Sequence, residues 1–166
     1  MKRRIILTAA AELAVLFTLA SCVRAEAVGV VARAERAAQL LFAPKPADAQ
    51  IKEGLLTLLD AIVEAAPGAG IAGDWPSKIA DARRILEDSP GYDKVAALLD
   101  ECHREINGGA PFRMPETIHS IGNAVDQGRR NLESIRSLMQ QGKAGDAVRR
   151  MLETLLIIMT PIEQGS

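Results

Sequence analysis

Aromatic side chains are almost missing from this 166-residue chain: Phe17, Phe42, Trp75, Tyr92 and Phe112 are all it has. Proteins that hold nucleic acid combine a clustered basic face with, for single strands, aromatic stacking platforms. Here the formal net charge is −1, so no nucleic-acid partner is expected. Cysteine is just as scarce. Cys22 and Cys102 occur with no C-x-x-C or C-x-x-C-H spacing, which leaves zinc ribbons, thioredoxin-type redox motifs and c-type haem attachment without support. One disulfide, Cys22–Cys102, is formally open in an oxidising compartment. Histidine is limited to His103 and His119, enough for one acid–base pair at most. There is no G-x-S-x-G, no H-E-x-x-H and no Gly-rich phosphate loop, since "GAGIAG" opens no strand–helix unit. These absences point away from an enzyme and require no cofactor. No period of 30–45 residues recurs, so solenoid repeats are not expected.

The start of the chain is distinctive. Lys2, Arg3 and Arg4 precede an apolar run, Ile5 to Ala20, that ends in small residues. A charged n-region, a short apolar h-region and small residues for a peptidase's shallow pockets are the form of a secretory signal. The tetrapeptide Leu19-Ala20-Ser21-Cys22 resembles the lipobox of bacterial lipoproteins. That resemblance covers the first 22 residues only. It implies cleavage before Cys22, with the cysteine as lipidated first residue and the membrane as partner. Two other outcomes stay open. Ala25-Glu26-Ala27 is itself an A-x-A site, and the run could be an uncleaved anchor. At ~1.5 Å per residue the run falls short of a ~30 Å hydrocarbon core. Glu12 adds a cost of ~2–3 kcal/mol to a permanent span. The reading adopted is residues 1–21 as signal peptide, 22–50 as an N-terminal helix with a Pro-containing linker, and 51–162 as a bundle domain. Removing residues 1–21 leaves a net charge of −3.

The body reads as helix almost throughout: all-α, an antiparallel bundle of four to five helices after the N-terminal segment. Residues 28–42 are Ala-rich and helical until Pro44 and Pro46. Asp48 is the expected cap of a helix over 49–66, with Ile51, Leu55, Leu58, Leu59, Ile62 and Val63 on one stripe. A helix over 75–88 turns Trp75, Ile79, Ala82 and Leu86 inward. Ser89 and Pro90 then restart a helix over 91–107, whose Tyr92, Val95, Leu99, Cys102 and Ile106 repeat at 3–4 spacing until "NGG". The longest helix, 116–141, carries Ile118, Ile121, Val125, Gly128, Leu132, Ile135 and Met139 as a heptad seam. Gly128 costs about 1 kcal/mol of propensity there, which marks a close contact with a neighbouring helix or bulky residue. "QQGKAGDA" folds a last helix, 144–160, back antiparallel. Its inward set is Val148, Met151, Leu155, Ile158 and Ile162. "LLIIM", 155–159, is apolar all round; it is either buried or a contact between chains, and burial is expected.

Two constellations invite a metal. Asp100-x-x-His103 and Glu116-x-x-His119 each set a carboxylate and an imidazole one turn apart, and paired Glu-x-x-His motifs build the di-metal sites of ferritin-like bundles. Helical phase argues otherwise: at ~100° per residue, Glu116 and His119 fall on the side away from the seam. Cys102 lies on the apolar stripe and reads as a small core hydrophobe. The closing hairpin faintly resembles that of haem-b four-helix cytochromes, but those place a His on the last helix, and this one has none. No metal, haem or catalytic residue is therefore expected. The doublets Arg83-Arg84, Arg129-Arg130 and Arg149-Arg150 read as solvated outer faces. The expectation is an exported, lipid-anchored helical bundle with a binding or scaffolding role in the cell envelope, with a protein partner or self-association open. The alternative is a soluble periplasmic carrier that holds a small ligand or cofactor between its helices.

Overall fold

The structure is a computed structural model and describes residues 24–88 and 91–161. The signal peptide, Cys22, the Ser89–Pro90 restart and Ile162 lie outside the described residues. What is described is all-α. The described part of helix α1 covers residues 24–41. It is followed by α2 (Asp48–Ala65), a 3-10 turn (Ala66–Gly68), α3 (Trp75–Asp88), α4 (Tyr92–Ile106), α5 (Ile121–Gln140) and α6 (Ala144–Met159).

Side-chain pairs fix the directions. Arg33 reaches Glu64 and Arg36 reaches Glu53, so α1 and α2 are antiparallel. Asp60 pairs with Arg83, and Lys52 Nζ donates to the Glu87 carbonyl at 2.9 Å, which reverses α3 against α2. Lys78 pairs with Glu105 at 3.0 Å, reversing α4 against α3. Arg136 pairs with Glu35, and Arg129 donates to the Phe42 carbonyl, so α5 runs against α1. Helices α4 and α5 thus point the same way. The chain between them, residues 107–120, crosses the length of the bundle as an irregular strap.

Helix α6 explains the all-round apolar turn. It packs against α2, α4 and α5 at once, and Met151, Leu152, Thr154, Leu155, Leu156 and Ile157 are all buried. A helix with neighbours on several sides needs apolar residues around its whole circumference. Helix α1 belongs to the same core, through buried Val30, Ala34, Ala37 and Leu41. A second, smaller apolar cluster joins Ile118, Ala124 and Ile157, with Phe112 and Met114 of the strap packed on it.

Several local expectations are corrected. Asp48 is the first residue of α2, not its cap; Ala47 holds that position, and its N–H donates to Gln50 Oε1 at 2.9 Å. Helix α5 starts at Ile121 rather than 116, because the Ser120 hydroxyl accepts the Asn123 N–H and caps the helix there. The seam shifts as a result: Ile121 is 77 % exposed, while Ala124 and Asn131 are buried. Tyr92 and Val63, expected inward, are exposed. Val63 flanks buried Ile62 at the edge of its stripe, and Tyr92 is the first residue of α4. The turns follow their glycines. Gly142 (φ +70) closes α5, with Lys143 N–H donating to the Leu138 carbonyl and Gly142 N–H to that of Met139. That is the Schellman pattern, which needs the left-handed conformation.

Candidate functional site

The metal candidates resolve into a staple and a bare surface. Asp100 Oδ1 accepts the Phe112 N–H at 2.9 Å, and Oδ2 accepts from Arg104 Nε at 2.9 Å. His103 Nδ1 lies 3.1 Å from the Ala110 carbonyl, so that nitrogen carries the proton and donates it. The His103 ring also meets Phe112 edge-on, with centroids 5.6 Å apart. The D-x-x-H pair therefore ties the strap to α4. Glu116 and His119 are exposed on the strap. Among the described residues no group of three or more His, Cys, Asp or Glu is placed to hold a metal. Asp100→Ala should cost about 1–3 kcal/mol, because it strands the Phe112 N–H. A chelator should leave the thermal midpoint of the wild type unchanged, since a metal that binds only the folded state raises it. A midpoint that drops several degrees with chelator would show that these residues do serve a metal.

Cys102 is fully buried, and its Sγ–H donates to the Trp75 carbonyl at 3.6 Å. Burial pushes the thiol up to about 12, so at neutral pH it is protonated and a poor nucleophile. Its neighbours serve the start of α3. The Glu105 carboxylate accepts the N–H groups of Asp74 and Trp75 and pairs with Lys78. The hydrogen bond with Lys78, reinforced by those N–H groups, holds Glu105 below the usual carboxylate range and raises Lys78. A carboxylate one helix away thus supplies the anion that the N-terminus of α3 favours.

The arrangement with binding chemistry lies elsewhere. A hollow of about 360 Å³ opens where α1 ends, α2 and α5 begin and α6 stops. Leu41, Phe42 and Ile51 form one wall. Ile121, Ala124 and Val125 of α5 face Ile157 and Ile158 of α6, and Thr160 and Pro161 complete the mouth. Nine of these ten side chains are apolar and none is charged. The volume is at the lower end of the range for small-molecule pockets. Close packing sets the first wall. A Cβ on Gly54 would stand 2.6 Å from Leu41 Cγ, and one on Gly128 would stand 2.5 Å from Phe42 Cζ. The bare backbones of two flanking helices thus let the end of α1 sink between them. The contact expected at Gly128 is this one. Ala124 and Ile157 also belong to the strap cluster, so the hollow lies between the main core and the satellite.

The apolar spacing alone puts several of these side chains in a continuous core. Ile51, Ile121, Val125 and Ile158 were all expected on inward stripes. The hollow is where those stripes run past the end of their neighbours. No periodicity carries that information; Pro161, which stops α6, is the one local signal. Apart from the Thr160 hydroxyl the lining side chains are apolar, so the hollow is suited to apolar contact. Comparison with protein-family models, with curated proteins and with solved structures finds no match to this chain.

Proposed function

We propose that the protein is an exported binding module, tethered to the cell envelope through a lipidated Cys22 and presenting the apolar hollow away from the tether. The basic start, the apolar run and the lipobox-like Leu19-Ala20-Ser21-Cys22 support the tether. The observation that carries the binding reading is the position of the hollow. The described part of α1 runs from residue 24, two residues after Cys22 in sequence, to Leu41, about 27 Å at 1.5 Å per residue. The hollow therefore opens at the end of α1 opposite residue 24, which suits a tether on the N-terminal side. Among the described residues no helix is long and apolar enough to cross a membrane. Attachment then falls to the segment before residue 24. Durable anchoring takes more than one acyl chain, and a lipidated N-terminal cysteine supplies them.

The test is fractionation of Cys22→Ala together with mass spectrometry of the mature N-terminus. The variant should leave the membrane fraction or accumulate as precursor, and the wild type should begin at a lipid-modified Cys22. A processed, unmodified N-terminus at Val28 with the same distribution would overturn the tether. It would favour instead a soluble carrier using the same hollow.

A further inference from the structure

We infer that the hollow takes the hydrocarbon part of a small, uncharged amphiphile whose head group donates a hydrogen bond, such as an alcohol or a primary amide. The inference rests on the binding-module reading and adds the chemical class of what is bound. Three features of the site select it. The first is the lining. With no charged side chain in it, an entering carboxylate or ammonium group would give up its hydration and find no partner.

The second is the mouth. Thr160 N–H donates to the Leu156 carbonyl at 2.9 Å, closing the last turn of α6. The next residue, Pro161, has no N–H to give to the Ile157 carbonyl. Ile157 lines the hollow, so one residue of the lining carries, among the described residues, a carbonyl without its i+4 donor, at the helix end that carries partial negative charge. An anionic head is disfavoured at that end, whereas an O–H or amide N–H meets an acceptor. The Thr160 hydroxyl is the one side-chain polar group of the lining.

The third feature is Ile121. It is 77 % exposed although it lines the hollow, so a hydrocarbon lying against it removes apolar surface from water that the fold leaves uncovered. The source is a free molecule rather than a lipid held in the tethering membrane. The length of α1, about 27 Å, separates the hollow from the residues next to Cys22.

The test uses the chain from Val23 to Ser166, which contains all the described helices and both apolar clusters. A cooperative thermal melt serves as the check of folding. Binding of n-alkanols of increasing length is followed by protein-detected NMR. Affinity should rise about fourfold per added methylene, the equivalent of about 0.8 kcal/mol per buried CH₂, and level off once the tail outgrows the hollow. The alkanoate of equal length should bind at least about tenfold more weakly. Ile121→Glu should weaken the longest alkanol at least about tenfold, with the melt unchanged because that side chain is exposed. Val125→Trp, which fills the hollow from α5, should do the same.

Absence of binding, affinity independent of tail length, or an alkanoate binding as well as its alkanol would overturn the inference. Binding seen only in Ile162→Ser would overturn it too, because the hollow would then belong to the chain's own next residue. Co-flotation of the same chain with phosphatidylglycerol vesicles, lost in Ile121→Glu, would make the hollow a membrane contact instead. None of these outcomes depends on Cys22, which this chain lacks, so the tether and the ligand class fail separately.

Discussion

Trp75→Ala should lower the unfolding free energy by about 3–5 kcal/mol, the range for truncating a large buried aromatic. Trp75 is fully buried at the start of α3. Its Nε1–H donates to the Ile71 carbonyl at 3.2 Å, and its own carbonyl accepts from Cys102. Truncation leaves a cavity between α3 and α4 and strands the Ile71 acceptor. Trp75→Phe separates the two effects: it keeps most of the volume, and its cost should fall to about 1–2 kcal/mol. Denaturant melts followed by circular dichroism measure both variants. In the wild type, tryptophan fluorescence reports this one residue, and its transition should coincide with the dichroism if unfolding is two-state. A loss below about 1 kcal/mol for Trp75→Ala would mean that α3 does not depend on this anchor.

The helices were legible because apolar spacing records which face has a neighbour. Leu55, Leu58, Leu59 and Ile62 of α2 are buried as their stripe predicts, as are Ile79, Ala82 and Leu86 of α3. The spacing fails where geometry depends on residues far away in sequence. Ile121 fits the heptad seam, yet Ser120 starts the helix just before it, and Ile121 lies at the open hollow while Ala124 takes the buried position in the first turn of α5. The strap is a similar case. Residues 116–120 look like the start of a helix, but Asp100 and His103 hold the strap at Phe112 and Ala110 from α4. Glu116 and His119 are exposed, but on a non-helical strap rather than on the outer face of the helix that their spacing predicts. Helical phase assigned no role to Asp100 and His103, because a hydrogen bond to a loop backbone leaves no mark in the spacing of apolar residues.

The hollow was the least legible feature. It depends on where four helix ends stop relative to one another, and two of its determinants are glycines. Gly128 was noticed because a seam glycine costs propensity. Gly54 was not, although it admits Leu41 in the same way. The buried amide of Asn131 is a further departure from the stripe. Its Oδ1 accepts from Gln127 at 2.9 Å, while its Nδ2 has no hydrogen-bond partner, and the structure offers no physical account of why a polar group stands there.

Helix α6 is the strongest test of the architecture, because α2, α4 and α5 all pack against it. Leu155 is fully buried and Leu132, which faces the same hairpin interior, is 2 % exposed. Leu155→Ala and Leu132→Ala should each cost about 2–5 kcal/mol. Leu155 belongs at the upper end, because a central helix enclosed on several sides cannot collapse onto the cavity as an edge helix can. Arg130 and Arg150 point outward. Arg130 donates to Gln127, three residues away, and Arg150 meets Glu153 at 3.4 Å with half of its side chain in water. Exposed pairs of this kind contribute little, so either arginine changed to alanine should stay within about 0.5 kcal/mol. All four variants are measured in denaturant beside a dilution series of the wild type. The single chain already buries Leu155, Leu156 and Ile157, so the midpoint should not move with concentration. A midpoint that falls on dilution would show that the fold is completed by a second chain. Core-sized losses at the arginines would show that α5 and α6 are rotated from the faces described above.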